Sequence, residues 1–139
     1  AGPGEYRYIR FAWKKSGGDG MAVQLSDPNR GGWVVRYHAG KNVHNWQPSI
    51  SVADAIPKEW TVVTRDLWAD NNKQPMTLTG MAFTAFDGQH ALFDHVMLGR
   101  SIEELDAASD AVMGCSAPRG YSGVAGGDAS TAVTGGAVV

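Results

Sequence analysis

Cysteine is almost missing from this chain of 139 residues: Cys115 is the single one. One thiol excludes an internal disulfide, a CxxC metal knuckle and a CxxCH haem attachment. A nucleophilic cysteine needs a histidine base close in space and an electropositive setting, and Cys115 stands at the head of a Gly-rich tail, a poor place for either. An excess of one charge is missing too, with 12 Lys and Arg against 14 Asp and Glu for a net −2 and a pI near 6.1. Readers of nucleic acid and anionic lipid carry clustered Lys and Arg, so neither partner is expected. No apolar run approaches the roughly 18 residues of a membrane span. No charged-then-apolar leader precedes Ala1, and a chain that opens without Met is expected to be a processed product or a piece of something larger.

Catalytic patterns are also lacking. There is no GxSxG, no P-loop and no GxGxxG set between a strand and a helix. His38, His44, His90 and His95 form neither HxH nor HExxH. Asp66, Asp87, Asp94 and Glu103 are the carboxylates a glycosidase could draw on, but none has a recognisable catalytic context, so the chain is not expected to be an enzyme.

What the chain does have is apolar content, 43% of its residues, enough to close one core but not to supply a second domain. The pattern is that of strands. Residues 5–15, EYRYIRFAWKK, put Arg7, Ile9, Phe11 and Trp13 on one face. A Gly-rich turn then leads into residues 21–25, which predicts a hairpin. Residues 33–40 alternate again, with Trp33, Val35 and Tyr37 on one side and Val34, Arg36 and His38 on the other. Residues 41–47, KNVHNWQ, lack a period and read as a loop, followed by a brief extended run over 48–52. Residues 60–68, 76–86 and 91–100 complete about seven strands, with Gly80 marking a bend or bulge and Asp87-Gly88-Gln89-His90 predicting a second hairpin turn. Ser101 with Glu104 three residues on is a capping-box signature for one short helix near 101–108. The expectation is an all-β antiparallel β-sandwich over residues 1–106. Residues 107–139, rich in Gly, Ala and Ser, read as a linker or tail, or as an added edge strand through Ala132-Val133-Thr134 and Ala137-Val138-Val139.

The order EYRYIRFAWK, EWTVVTRDL, LTGMAFT and FDH resembles the jelly-roll carbohydrate-binding modules. More narrowly it resembles carbohydrate-binding-module-like domains of large secreted planctomycete proteins, where they accompany c-type cytochrome and other modules. The likeness covers roughly residues 5–106. It implies a jelly-roll sandwich that binds a polysaccharide or oligosaccharide and anchors a larger secreted or extracellular (or periplasmic) protein to it, beside that protein's other modules. Lacking CxxCH, the chain would leave any cytochrome partner to the rest of the parent protein. The alternative is a structural or protein-interaction sandwich without a sugar site. In the modules it resembles, an Asp on the last strand joins a Glu near the first to hold a structural calcium, and Asp94 and Glu5 match those positions; the other reading of Asp94 is a cap for backbone N–H groups or an ion pair with Arg7 or Arg100.

Sugar binding asks for flat aromatic rings and a few fixed polar groups. Trp13 and Trp60 lie in strongly patterned strands and read as core. Trp46, in a polar loop beside His44, reads as exposed, while Trp33 and Trp68 at strand ends suit either role. With Arg36, Tyr37 and His38 as hydrogen-bonding groups, the candidate carbohydrate-binding residues are Trp33, Arg36, Tyr37, His38, His44, Trp46 and Trp68.

Overall fold

The computed structural model describes residues 5–88, 90–114 and 131–138, and it forms a two-sheet β-sandwich. The strands are β1 (Tyr8–Lys15), β2 (Gly20–Asp27), β3 (Gly32–Gly40), β4 (Ile50–Ala53), β5 (Thr61–Asp66), β6 (Thr77–Ala85), β7 (Ala91–Gly99) and β8 (Thr131–Val138). Two helices join them, α1 (Leu67–Asp70) and α2 (Ile102–Gly114). One sheet has the order β5-β1-β7 and the other β4-β3-β2-β6-β8. Every pairing is antiparallel except that of β3 with β4.

Period-two alternation explains the core. Ile9, Phe11 and Trp13 of β1 face Met21, Val23 and Leu25 of β2, with Val35, Tyr37 and Ala39 of β3 and Val63 of β5 closing around them. Phe11 and Trp13 meet edge-to-face at 5.0 Å, and Trp13 reaches Phe93 at 6.5 Å. Trp13 is buried as expected, whereas Trp60 is only half-buried.

Neither predicted hairpin forms. β1 pairs with β5 and β7 while β2 pairs with β3 and β6, so residues 16–19 cross from one sheet to the other as an arch. The turn after β6 does the same, carrying the chain to β7 in the opposite sheet. The reason is hydrophobic: β1 and β2 each present a full apolar face, and two such faces bury more surface opposite one another than side by side. The two arches lie at one end of the sandwich and are tied together. Lys15, fully buried at the inward position that ends β1, places its Nζ 2.7 Å from Asp87 Oδ1 in the second arch. The same carboxylate accepts the N–H of Asp19 in the first. Gly18, with φ of 86°, passes so close to Asp87 that a Cβ there would overlap the carboxylate.

Register shifts interrupt the ladders at four places. In β3 the register slips so that Leu25 opposes Val35 but Ser26 opposes Trp33, leaving Val34 as the extra residue. Val34 therefore packs against the core, and Trp33 turns to the sheet's outer side, away from the Val35 and Tyr37 face on which the plain alternation put it. Beside β6 the extra residue lies in β8, where Thr134 to Ala137 spans three steps against the two from Gly80 to Leu78, so β6 itself runs without a bulge at Gly80 in its pairing with β2; beside β3 the extra residue is Val52 of β4. In β7 the slip falls around His95, which takes a φ of 48°. Asp94 braces that unusual backbone: its Oδ1 accepts the His95 N–H at 2.8 Å, and its Oδ2 lies 3.1 Å from His95 Nδ1.

The predicted strand over residues 60–68 stops at Asp66, which caps α1 by accepting the Ala69 N–H at 3.1 Å. Arg7 grips the same carboxylate at 2.7 Å, and these hydrogen bonds hold Asp66 below the usual carboxylate range. The Ser101 cap of α2 is as the spacing predicts, with its Oγ accepting the Glu104 N–H at 3.2 Å. No breaker follows until Gly114, so α2 continues past 108 and through the boundary expected at 106. Residues 131–138 form β8, an edge strand on β6. Cys115 and Val139 lie outside the described residues.

Asp87→Asn leaves the Lys15 ammonium buried without its matched charge and is expected to lower unfolding free energy by about 3 kcal/mol. Joint replacement by Lys15→Met and Asp87→Leu is expected to recover most of that loss in urea titrations. A single-variant effect below about 0.5 kcal/mol, the range of exposed pairs, would contradict the tie between arches.

Candidate functional site

Parallel pairing of β3 with β4 sets the site's geometry. Tyr37 opposes Ile50, so the chain leaving β3 at Gly40 must travel back along the strand before β4 can begin. Residues 41–49 make that return across the outer face of the five-stranded sheet. Asn42 fixes the loop by a reciprocal pair: its Nδ2 donates to the Trp46 carbonyl at 2.8 Å and its Oδ1 accepts the Trp46 N–H at 3.1 Å. Asn45 donates its N–H to the Asn42 carbonyl at 2.9 Å and adopts a φ of 50°, which asparagine tolerates better than most residues.

Beneath the loop runs a line of buried polar groups across three strands. Gln24 Nε2 donates to Thr84 Oγ1 at 3.0 Å, and Gln24 Oε1 accepts from Arg36 Nε at 2.9 Å. Arg36 Nη1 then donates to the Pro48 carbonyl at 3.0 Å. The guanidinium lies 5.0 Å from the centre of the Trp46 ring, and Arg36 is 5% exposed. Burial lowers its pKa from the usual value. His38, the next outward residue of β3, has its Nδ1 2.6 Å from Ser49 Oγ. Its pKa is lowered, first by burial and then by the Arg36 charge, so the ring is neutral at pH 7.

Above that bed lies an aromatic cluster. His44 and Trp46 are 4.8 Å apart between centroids, and Phe86 meets them edge-on at 5.7 and 5.5 Å. His44, Asn45 and Gln47 are exposed, Trp46 is half-buried and Phe86 is buried. Arg36, His38, His44 and Trp46 are thus brought together, with Trp33, 42% exposed, on the same side of β3.

Tyr37 and Trp68 are not part of this face. Tyr37 points into the core, donating its hydroxyl to Asp70 Oδ2 at 2.9 Å, and its pKa is pushed up chiefly by burial. Trp68 sits on α1, which continues from the end of β5 in the other sheet. Glu5 and Asp94 do not meet. Asp94 opposes Ala12, seven residues along β1 from Glu5, a separation on the order of 20 Å at the usual strand rise. Among the described residues no group of three or more His, Cys, Asp or Glu is placed to hold a metal ion, so this pair does not fit a calcium site.

Gln24, Asn42, Thr84 and Phe86 belong to the site but carry no motif. One signal was present: Gln24 is the single polar residue in the apolar run MAVQL. On the open side of the sandwich a separate groove of about 430 Å³ runs between β4 and β5, floored by Trp13 and flanked by Val52, Val62 and Val63. Comparison of the chain with protein-family models, curated proteins and solved structures returns no match.

Because the fold holds His38 neutral, the unfolded chain takes up its proton first as pH falls. The stability from neutral burial is complete above about pH 6.5, the ordinary histidine value, and drains away as pH drops toward the lowered folded value. His38→Gln is expected to flatten that part of the stability profile. An NMR titration of the His38 ring should give a midpoint below 6.5, and a midpoint at or above it would overturn the burial argument.

Proposed function

We propose that this domain is a non-catalytic carbohydrate-binding module of jelly-roll type, anchoring a larger secreted protein, with its other modules, to a polysaccharide. The observation that carries the reading is the braced loop over residues 41–49. It presents His44 and Trp46 as a fixed aromatic patch, backed by Phe86 and rimmed by exposed Asn45 and Gln47. Apolar ring surface with amide groups at its edge is the chemistry that suits a sugar's C–H face and its hydroxyls. Pre-ordering of the loop lowers the entropy lost on binding.

Affinity electrophoresis through gels holding plant, algal and bacterial polysaccharides tests this. Retardation by at least one of them is expected, weakened about tenfold or more by His44→Ala or Trp46→Ala if these rings are the anchoring contacts. Free migration in every gel, or retardation indifferent to both variants, would sink the reading.

A second reading, a protein-interaction sandwich, has its own observation. Val62 is 54% exposed on β5, an edge strand free of proline and lysine beside the open groove. Such an edge suits antiparallel pairing with a second copy of the chain. Sedimentation equilibrium would then give a concentration-dependent dimer abolished by Val62→Lys, whereas a monomer at all concentrations removes this reading.

A further inference from the structure

The outer face of the five-stranded sheet is unusual in its charge. The whole chain carries more acidic than basic residues, yet residues 28–53 hold no Asp or Glu while including Arg30, Arg36, Lys41, His38 and His44. Residues 32–53 form β3, the loop and β4, while Arg30 precedes them and donates to Asn71 Oδ1 at 2.8 Å. Neighbouring strands add Ala22 and Gln24 from β2, and Ala82 and Thr84 from β6, on the same side. Two carboxylates approach at the arch end. Asp19 lies 3.4 Å from Lys41 Nζ and Asp87 lies 2.7 Å from Lys15 Nζ, so each is matched by a lysine.

Arg36 is left over. Its described partners are an amide oxygen, a backbone carbonyl and an indole ring, all of them neutral. Neutral dipoles stabilise a guanidinium without cancelling its charge. Because Arg36 sits directly under Trp46, that charge projects through the aromatic patch toward solvent. Coulomb attraction falls only as the inverse of distance, and it is stronger where water is excluded, so an anion resting on His44 and Trp46 need not touch Arg36 to feel it.

We infer that the ligand of this face is an anionic polysaccharide, one whose sugar units carry carboxylate or sulfate ester groups. The rings of His44 and Trp46 take the sugar, and its charge lies in the field of Arg36. This rests on the carbohydrate reading above and narrows it to a class. The shared chemistry is an anionic substituent on a pyranose, and two matched pairs of polymers separate its sources.

Biolayer interferometry with four immobilised polymers makes the test: polygalacturonate and its methyl ester, dextran sulfate and dextran. The charged member of at least one pair should bind about tenfold tighter than its neutral partner at low salt, the gap narrowing toward about 0.2 M salt as screening shortens the field. Preference within the first pair assigns carboxylate, and within the second, sulfate. Arg36→Gln should shrink the gap and Arg36→Lys, which keeps the charge, should retain most of it, both with unchanged far-ultraviolet circular dichroism. Where Arg36→Gln does not fold, the salt dependence of the unaltered protein decides the matter, and a gap that does not narrow with salt overturns the inference. Equal binding within both pairs would overturn the anionic inference and leave the sugar reading standing. No binding to any of the four, together with free migration in the gels, would remove both. Competition by polyphosphate as strong as by the charged sugar polymer would also overturn it, since the field alone would then account for binding.

Discussion

The fold depends on the tie between Lys15 and Asp87. Two crossovers carry the chain between sheets at the same end of the sandwich, and each would otherwise expose loose turns over the end of the core. Lys15 closes the inward face of β1 where Ile9, Phe11 and Trp13 leave off, and its charge is met by the carboxylate of the second crossover. The backbone of the first crossover is drawn in by the same group through Asp19. A buried cation requires such a partner, and here the requirement fixes how β1, β2, β6 and β7 meet.

The candidate site is built outward from that end. Lys41, first residue of the covering loop, donates its N–H to the Asp19 carbonyl at 2.8 Å. Phe86, immediately before Asp87, donates its N–H to the Gly20 carbonyl at 3.1 Å and supports His44 and Trp46. Gly20 has no room for a side chain, since a Cβ there would come within 2.2 Å of the Lys41 carbonyl oxygen. The aromatic patch therefore rests on the end of the sandwich that the two crossovers close, and the parallel pairing of β4 pulls its other end across Arg36. A surface made this way is ordered by the fold itself.

Two buried cations are answered differently. Lys15 is answered by a carboxylate and holds crossovers together. Arg36 is answered by dipoles and a ring, and it sits beneath the exposed loop. A sandwich as such has no fixed activity, and what distinguishes this one is the loop and the charge beneath it.

Local pattern by itself determined a good deal: strand composition, the inward face of β1, the cap of α2 and the loop character of residues 41–47 all follow from side chains within a few positions of one another. It also brought forward Arg36 and His38 as polar groups of one strand, and His44 and Trp46 because a polar, aromatic stretch between strands cannot serve a core. Tertiary structure alone decided which strands share a sheet. Turn residues between β1 and β2 are compatible with a hairpin or an arch, and the choice was made by distant apolar faces. It likewise decided that Trp33 faces outward and Tyr37 inward, since one extra residue in β3 reverses the alternation. Asp94 and Glu5 were matched as positions in a pattern, but register along β1 holds them apart. Gln24, Thr84 and Phe86 joined the site only through pairing across strands, a relation set by long-range register rather than by neighbours in the chain.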